Sequence, residues 1–133
     1  VLFCSVSGAF PSTQSAPADF VVSQQPSETP KMLVERIFGK DSPMLQVARC
    51  ESGLRQYQPG GALLRGRVNP SDVGIFQINE HYHQSAALAL GLDIEKPEDN
   101  VRYAYHLYQQ NGFQDWKASK SCWGENSSST DII

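Results

Sequence analysis

Ser71-Asp72-Val73-Gly74-Ile75-Phe76-Gln77-Ile78-Asn79 is the stretch that decides how the chain is read. Val73 to Ile78 is mostly β-branched or aromatic, so it is expected to be a strand or extended segment. Side chains alternate along an extended segment, which puts Gln77 and Asn79, at i and i+2, on one face. Upstream, Pro59-Gly60-Gly61 and Asn69-Pro70 are turn signals around the apolar and basic stretch Ala62 to Val68. A hairpin is therefore expected within residues 55–71.

Helical patterns lie on both sides. Thr29 is a suitable N-cap and Pro30 suits the first helical position, where no N–H is needed. Leu33, Val34, Ile37 and Phe38 then share one face, and Gly39 ends the helix. Ser42-Pro43 starts a second helix by the same logic, buried through Met44, Leu45, Val47 and Ala48, with Gly53 as its stop. Glu51 falls in its last turn, where the partial negative charge of the helix end disfavours a carboxylate. A third helix is expected from His81 to Leu90, stopping at Gly91. A fourth runs from Pro97 to Gln110, with Val101, Ala104, Tyr105 and Tyr108 as its apolar stripe and Asn111-Gly112 as its end. Tyr103 and Tyr105 both lie on it, and Tyr105 is expected in the core. A short aromatic segment, Phe113 to Trp123, follows. The expected fold class is α+β, mainly α, with a small β-hairpin.

The chain of 133 residues suffices for one core of ordinary size. Its net charge is -3, and no Lys/Arg cluster could neutralise a run of phosphates, so nucleic acid is not an expected partner. No apolar stretch approaches the roughly 18–20 residues that span a bilayer, so no stable membrane span is expected. Residues 1–18 carry no charge and end in Ala16-Pro17-Ala18, the small-x-small form of a signal peptidase site. They are read as a signal-peptide remnant, the alternative being an ordinary N-terminal tail. Cys4 lacks the preceding small residues of a lipoprotein signal. The polar residues 19–28 are read as a linker, 29–123 as one domain and 124–133 as a flexible tail. With Cys4 removed, Cys50 and Cys122 remain, and in an exported protein an even pair reads as one disulfide. Closing about 70 residues, it would stabilise by roughly 3–4 kcal/mol on the chain-entropy estimate. Two buried free thiols are the alternative.

Three blocks carry the chemistry. Ala48-Arg49-Cys50-Glu51-Ser52-Gly53 sets a carboxyl at the end of an apolar helix. Ser71 to Asn79 follows about 20 residues later. Phe113-x-x-Trp116-x-x-Ser119-x-x-Cys122 closes the domain. In this order they resemble the lysozyme and lytic transglycosylase superfamily. The first resembles its catalytic Glu motif. The second is similar to the Asp-Tyr-Gly-Ile-Phe-Gln-Ile-Asn stretch of animal-type lysozymes, and matches bacterial transglycosylases at Gly74 and Gln77. The third, with a Cys directly before the Glu, resembles the resuscitation-promoting-factor branch. Two departures stand out: the Ala-Tyr-Asn segment of the transglycosylases is missing, and animal-type lysozymes carry four disulfides where this chain can form one.

The resemblance implies a secreted, periplasmic or wall-associated monomer that cleaves the β-1,4 bond between N-acetylmuramic acid and N-acetylglucosamine in peptidoglycan glycan strands. Glu51 would be the general acid, its pKa raised by an apolar setting to which Trp116 could contribute. Asp72 would stabilise the oxocarbenium-like transition state or attack the anomeric carbon. Most bacterial transglycosylases have no acid there and form 1,6-anhydro products, so Asp72 favours hydrolysis. Gln77 and Asn79 would bond sugar groups or Asp72; Tyr82, His83 and Trp116 would offer aromatic faces to the sugar. Lytic transglycosylation and a wall-binding module without activity remain alternatives. No cofactor is implied. His81-x-His83 lacks a third ligand of fitting spacing, so no metal is expected.

Overall fold

A computed structural model describes Gly8 and residues 25–124. Apart from Gly8, the expected signal segment 1–18 with Cys4, the first part of the linker and the tail beyond residue 124 lie outside the described residues. The element order is α1 (Pro30–Phe38), α2 (Met44–Ser52), β1 (Asp72–Val73), β2 (Ile78–Asn79), α3 (Glu80–Ala89), α4 (Pro97–Asn111), a 3-10 segment (Gln114–Ser119) and α5 (Lys120–Trp123). The class is α+β, mainly α, with one small antiparallel sheet.

The helix ends follow local chemistry. The Thr29 hydroxyl accepts the Met32 N–H at 3.3 Å, and Pro30 fits the first turn, where a missing N–H costs nothing. The Ser42 hydroxyl accepts the Met44 N–H at 3.2 Å ahead of α2. Gly53 ends α2 with left-handed φ 65°, and its N–H reaches the Ala48 and Arg49 carbonyls. That cap fixes where the last turn, and Glu51 on it, stops. Helix α1 packs on α2 and α4 around Leu33, Val34, Met44, Val47, Val101 and Ala104, all buried.

Val73 to Ile78 is not one strand. Gly74 (φ 75°) and Gln77 (φ 49°) are left-handed, so the segment folds back on itself. Asp72 then faces Asn79 and Val73 faces Ile78 across an antiparallel pair. The hairpin expected within 55–71 contributes only the isolated bridge Tyr57–Leu63, with Arg65 bridging to Val73. The i, i+2 argument for Gln77 and Asn79 fails for the same reason, because Gln77 sits in the turn.

Two buried side-chain amides impose this turn. Gln56 accepts the Ile75 N–H at 3.0 Å and donates to the Ile94 and Glu95 carbonyls at 3.2 and 2.9 Å. Asn100 accepts the Phe76 N–H at 3.0 Å and donates to the Val73 and Ile94 carbonyls at 3.0 and 2.9 Å. Gly74 is needed between them: a Cβ there would meet Gln56 Oε1 at 2.4 Å and Asn100 Nδ2 at 2.6 Å. Asn100 also displaces the buried stripe of α4, which runs through Asn100, Val101, Tyr103, Ala104 and Leu107. Tyr105, expected in the core, is therefore 37% exposed and only flanks Phe38, ring centroids 5.3 Å apart.

Cys50 and Cys122 form a disulfide with Cα atoms 5.9 Å apart, joining the end of α2 to α5. Spanning 72 residues, it constrains the unfolded chain by about 4 kcal/mol on the entropy argument. Among the described residues no helix is long and apolar enough to cross a membrane.

Asn100→Ala should cost about 2–4 kcal/mol, because it strips the buried Phe76 N–H of its acceptor, takes one donor from the Val73 and Ile94 carbonyls and opens a void. Urea unfolding monitored by circular dichroism measures this; stability equal to the parent would contradict the amide clamp.

Candidate active site

Glu51, in the last turn of α2, is half-buried and is hydrogen-bonded by the Ser119 hydroxyl through its Oε1. Ser119 closes the 3-10 segment and is itself held: its Oγ lies 3.1 Å from the Trp116 carbonyl and receives the Trp123 indole N–H at 3.0 Å. Burial pushes the Glu51 carboxyl above the usual carboxylate range. The Ser119 bond opposes that shift, and the negative charge of Asp72 adds to it. Burial is the largest influence and decides the direction.

Asp72 stands on β1, where the hairpin turns it toward the same cleft. Asn79 Nδ2 donates to Asp72 Oδ1 at 2.8 Å, while Asn79 Oδ1 caps α3 by accepting the Tyr82 N–H at 3.2 Å. One amide thus orients the carboxylate and starts the next helix. Gln77 ties its Nε2 to the Gly74 carbonyl at 2.9 Å.

These groups border an open cleft of about 580 Å³ and, behind it, a smaller cavity of about 170 Å³. Glu51, Asp72, Gln77 and Ala118 line both, so the two carboxyls stand where one space passes into the other. Asn79, His83, Asp115 and Trp116 belong to the inner cavity. Arg55, Arg65 and Arg67 belong to the outer cleft.

The expected sugar-binding aromatics are placed differently. Tyr82 is 75% exposed, lines neither space and meets the His81 ring edge-on, centroids 5.1 Å apart. Trp116 borders the inner cavity but is only 4% exposed. Its indole N–H is spent on the Phe76 carbonyl at 3.0 Å, so it is a core side chain that braces the hairpin, not a free stacking face. His83 lines the inner cavity with its Nδ1 3.1 Å from the Tyr103 hydroxyl. Among the described residues no three His, Cys, Asp or Glu side chains gather as a metal site.

Ser119 and the arginine wall were not anticipated. Ser119 was within reach of the sequence: a Cys50–Cys122 bond draws the residue one helical turn before Cys122 toward the one after Cys50. The arginines gave no such signal, because their common wall is made by an irregular loop. Compared with protein-family models, with curated proteins and with solved structures, the chain finds no match.

A carboxyl whose pKa is raised by folding costs stability when ionised. The folded state keeps its full stability at low pH and loses some as pH rises through the raised value. Glu51→Gln should therefore melt at a higher temperature than the parent at pH 8, with the gap closing below the usual carboxylate range. Scanning calorimetry at pH 8 and pH 3.5 checks it; an unchanged difference would contradict the raised pKa.

Proposed function

We propose that the protein is a lysozyme-like glycoside hydrolase that cleaves the β-1,4 bond between N-acetylmuramic acid and N-acetylglucosamine in peptidoglycan strands. The observation that carries this reading is the pairing of a half-buried Glu51, with its pKa raised, and a hydrogen-bonded Asp72 on one cleft. A glycosidic bond needs a proton on its leaving oxygen and negative charge near the anomeric carbon as oxocarbenium character develops. Two carboxyls in unlike settings divide those tasks. Glu51, whose ionised form burial disfavours, gives the proton. Asp72, bonded by Asn79, supplies the charge or the attacking oxygen. No cofactor takes part in this scheme.

Ser119 suits an acid that must exist in both protonation states. When Glu51 is ionised, the Ser119 hydroxyl donates to it. When Glu51 is protonated, Glu51 donates to Ser119 Oγ and the serine proton turns to the Trp116 carbonyl, already 3.1 Å away. The Trp123 N–H remains on Ser119 Oγ in both states. Loss and return of the proton thus need no heavy atom to move. The disulfide and the absence, among the described residues, of a membrane-spanning helix are compatible with a secreted protein. We place its action outside the cytoplasm, at the cell wall, where disulfides persist.

Mass spectrometry of peptidoglycan digested by the purified protein tests the reaction. Reducing muramic ends are expected, together with a loss of about 10²–10⁴-fold in Glu51→Gln. Anhydro-muramic ends would overturn hydrolysis, and full activity in Glu51→Gln would overturn the mechanism. The alkaline limb of kcat/KM against pH reports Glu51 losing its proton. Asp72→Asn removes a charge that helps hold that proton, so residual activity should show the limb moved to lower pH. Ser119→Ala removes a donor to the ionised form, so the limb should move to higher pH. Limbs that stay in place would contradict these roles.

A further inference from the structure

We infer that the outer cleft is a subsite for a carboxylate carried by the glycan, formed by Arg55, Arg65 and Arg67; this rests on the reading of the same cleft as a glycosidase site. The chain carries a net charge of -3, yet all three arginines fall on the wall of this one cleft. Outside the cleft, Arg36 is engaged by Glu28 at 2.7 Å and Arg102 by Glu98 at 2.6 Å, while Arg49 is exposed and has no ion-paired partner among the described residues. Of the three cleft arginines only Arg65 is paired with an acid, and each keeps N–H groups unspent among the described residues. Arg55 spends its Nε on the Ser52 carbonyl at 3.1 Å, which steadies the side chain and leaves its terminal N–H groups unspent among the described residues. Arg65 is anchored through Nη1 alone, to the Pro70 carbonyl at 2.9 Å and Glu80 at 2.6 Å. Arg67 has no hydrogen-bonded or ion-paired partner among the described residues.

A guanidinium offers five N–H donors in a planar fork that matches a carboxylate, so anchoring one edge leaves another for a ligand. The wall adjoins the carboxyls that would act on the glycan, so its ligand is a substituent on the strand beside the bond being cut. A strand of N-acetylglucosamine alone carries no charge there. A muramyl residue carries a carboxylate on its 3-O-lactyl arm, either free or passed on to a peptide stem. Both sources share the chemistry the arginines select, and both are absent from chitin.

The test measures binding by titration calorimetry, using Glu51→Gln so that strands are not consumed. Three soluble ligands of matched length separate the sources: a neutral chito-oligosaccharide, a peptide-free peptidoglycan strand and a stem-bearing strand. At least one muramyl strand should bind about 10-fold more tightly than the neutral sugar, the yield of one added charge-assisted contact. That preference should shrink with salt and vanish in Arg67→Glu, which alters an exposed side chain. Tighter binding of the peptide-free strand assigns the lactyl carboxylate; a preference confined to the stem-bearing strand assigns the peptide. Equal affinity for all three, no binding, or a preference that survives Arg67→Glu would overturn the subsite. Cleavage of the two peptidoglycan strands by the parent protein reports separately on the proposed function, since both contain the bond it names.

Discussion

Two side-chain amides, Gln56 and Asn100, hold the turn between β1 and β2, and the geometry of the cleft depends on them. Turn residues cannot all satisfy their own backbone groups, and here they are buried. The amides take up the Ile75 and Phe76 N–H groups and the Val73 carbonyl, while Trp116 takes the Phe76 carbonyl. Because the same amides reach the Ile94 and Glu95 carbonyls, they also lock the hairpin to the segment before α4. Among the described residues no buried side-chain nitrogen or oxygen lacks a partner, so the network is complete rather than a strained remnant. Asp72 inherits its position from that lock.

The opposite wall is set by other means. Glu51 sits on a short helix ended by a left-handed glycine, and the adjoining Cys50 is bonded to Cys122. The disulfide brings the C-terminal segment, with Ser119, Trp116 and Trp123, over the carboxyl. Burial raises the pKa, while the Ser119 hydroxyl limits the rise. The site thus joins a braced hairpin and a cross-linked helix end, with Trp116 common to both supports.

Much of this was legible in the chain. Thr29, Pro30, Gly39 and Gly53 marked helix ends because each acts on its own backbone. The cysteine pairing followed from setting Cys4 aside, which leaves Cys50 and Cys122. Glu51 and Asp72, expected from motif resemblance, fall on one cleft with Gln77, and Asn79 and His83 line its inner end. What was not legible depended on long-range partners. Val73 to Ile78 has the composition of a strand, and only Gln56 and Asn100, 19 and 24 residues from the backbone N–H groups they bind, make it a turn. Tyr105 was misplaced because a stripe counted from apolar residues omits a buried Asn. Trp116, expected to offer a face to the sugar, is instead a core side chain whose N–H meets a carbonyl in the hairpin.

The central claim is that folding keeps the Glu51 carboxyl protonated into the range where it can act as an acid. A carbon-13 NMR titration of the side-chain carboxyls of the intact protein, with Glu51 assigned by comparison with Glu51→Gln, measures this directly. Its resonance should titrate above the usual carboxylate range and above the exposed, ion-paired Glu28 and Glu98, which arginine partners hold low. A Glu51 that titrates with the exposed carboxylates, or below them, would contradict the account.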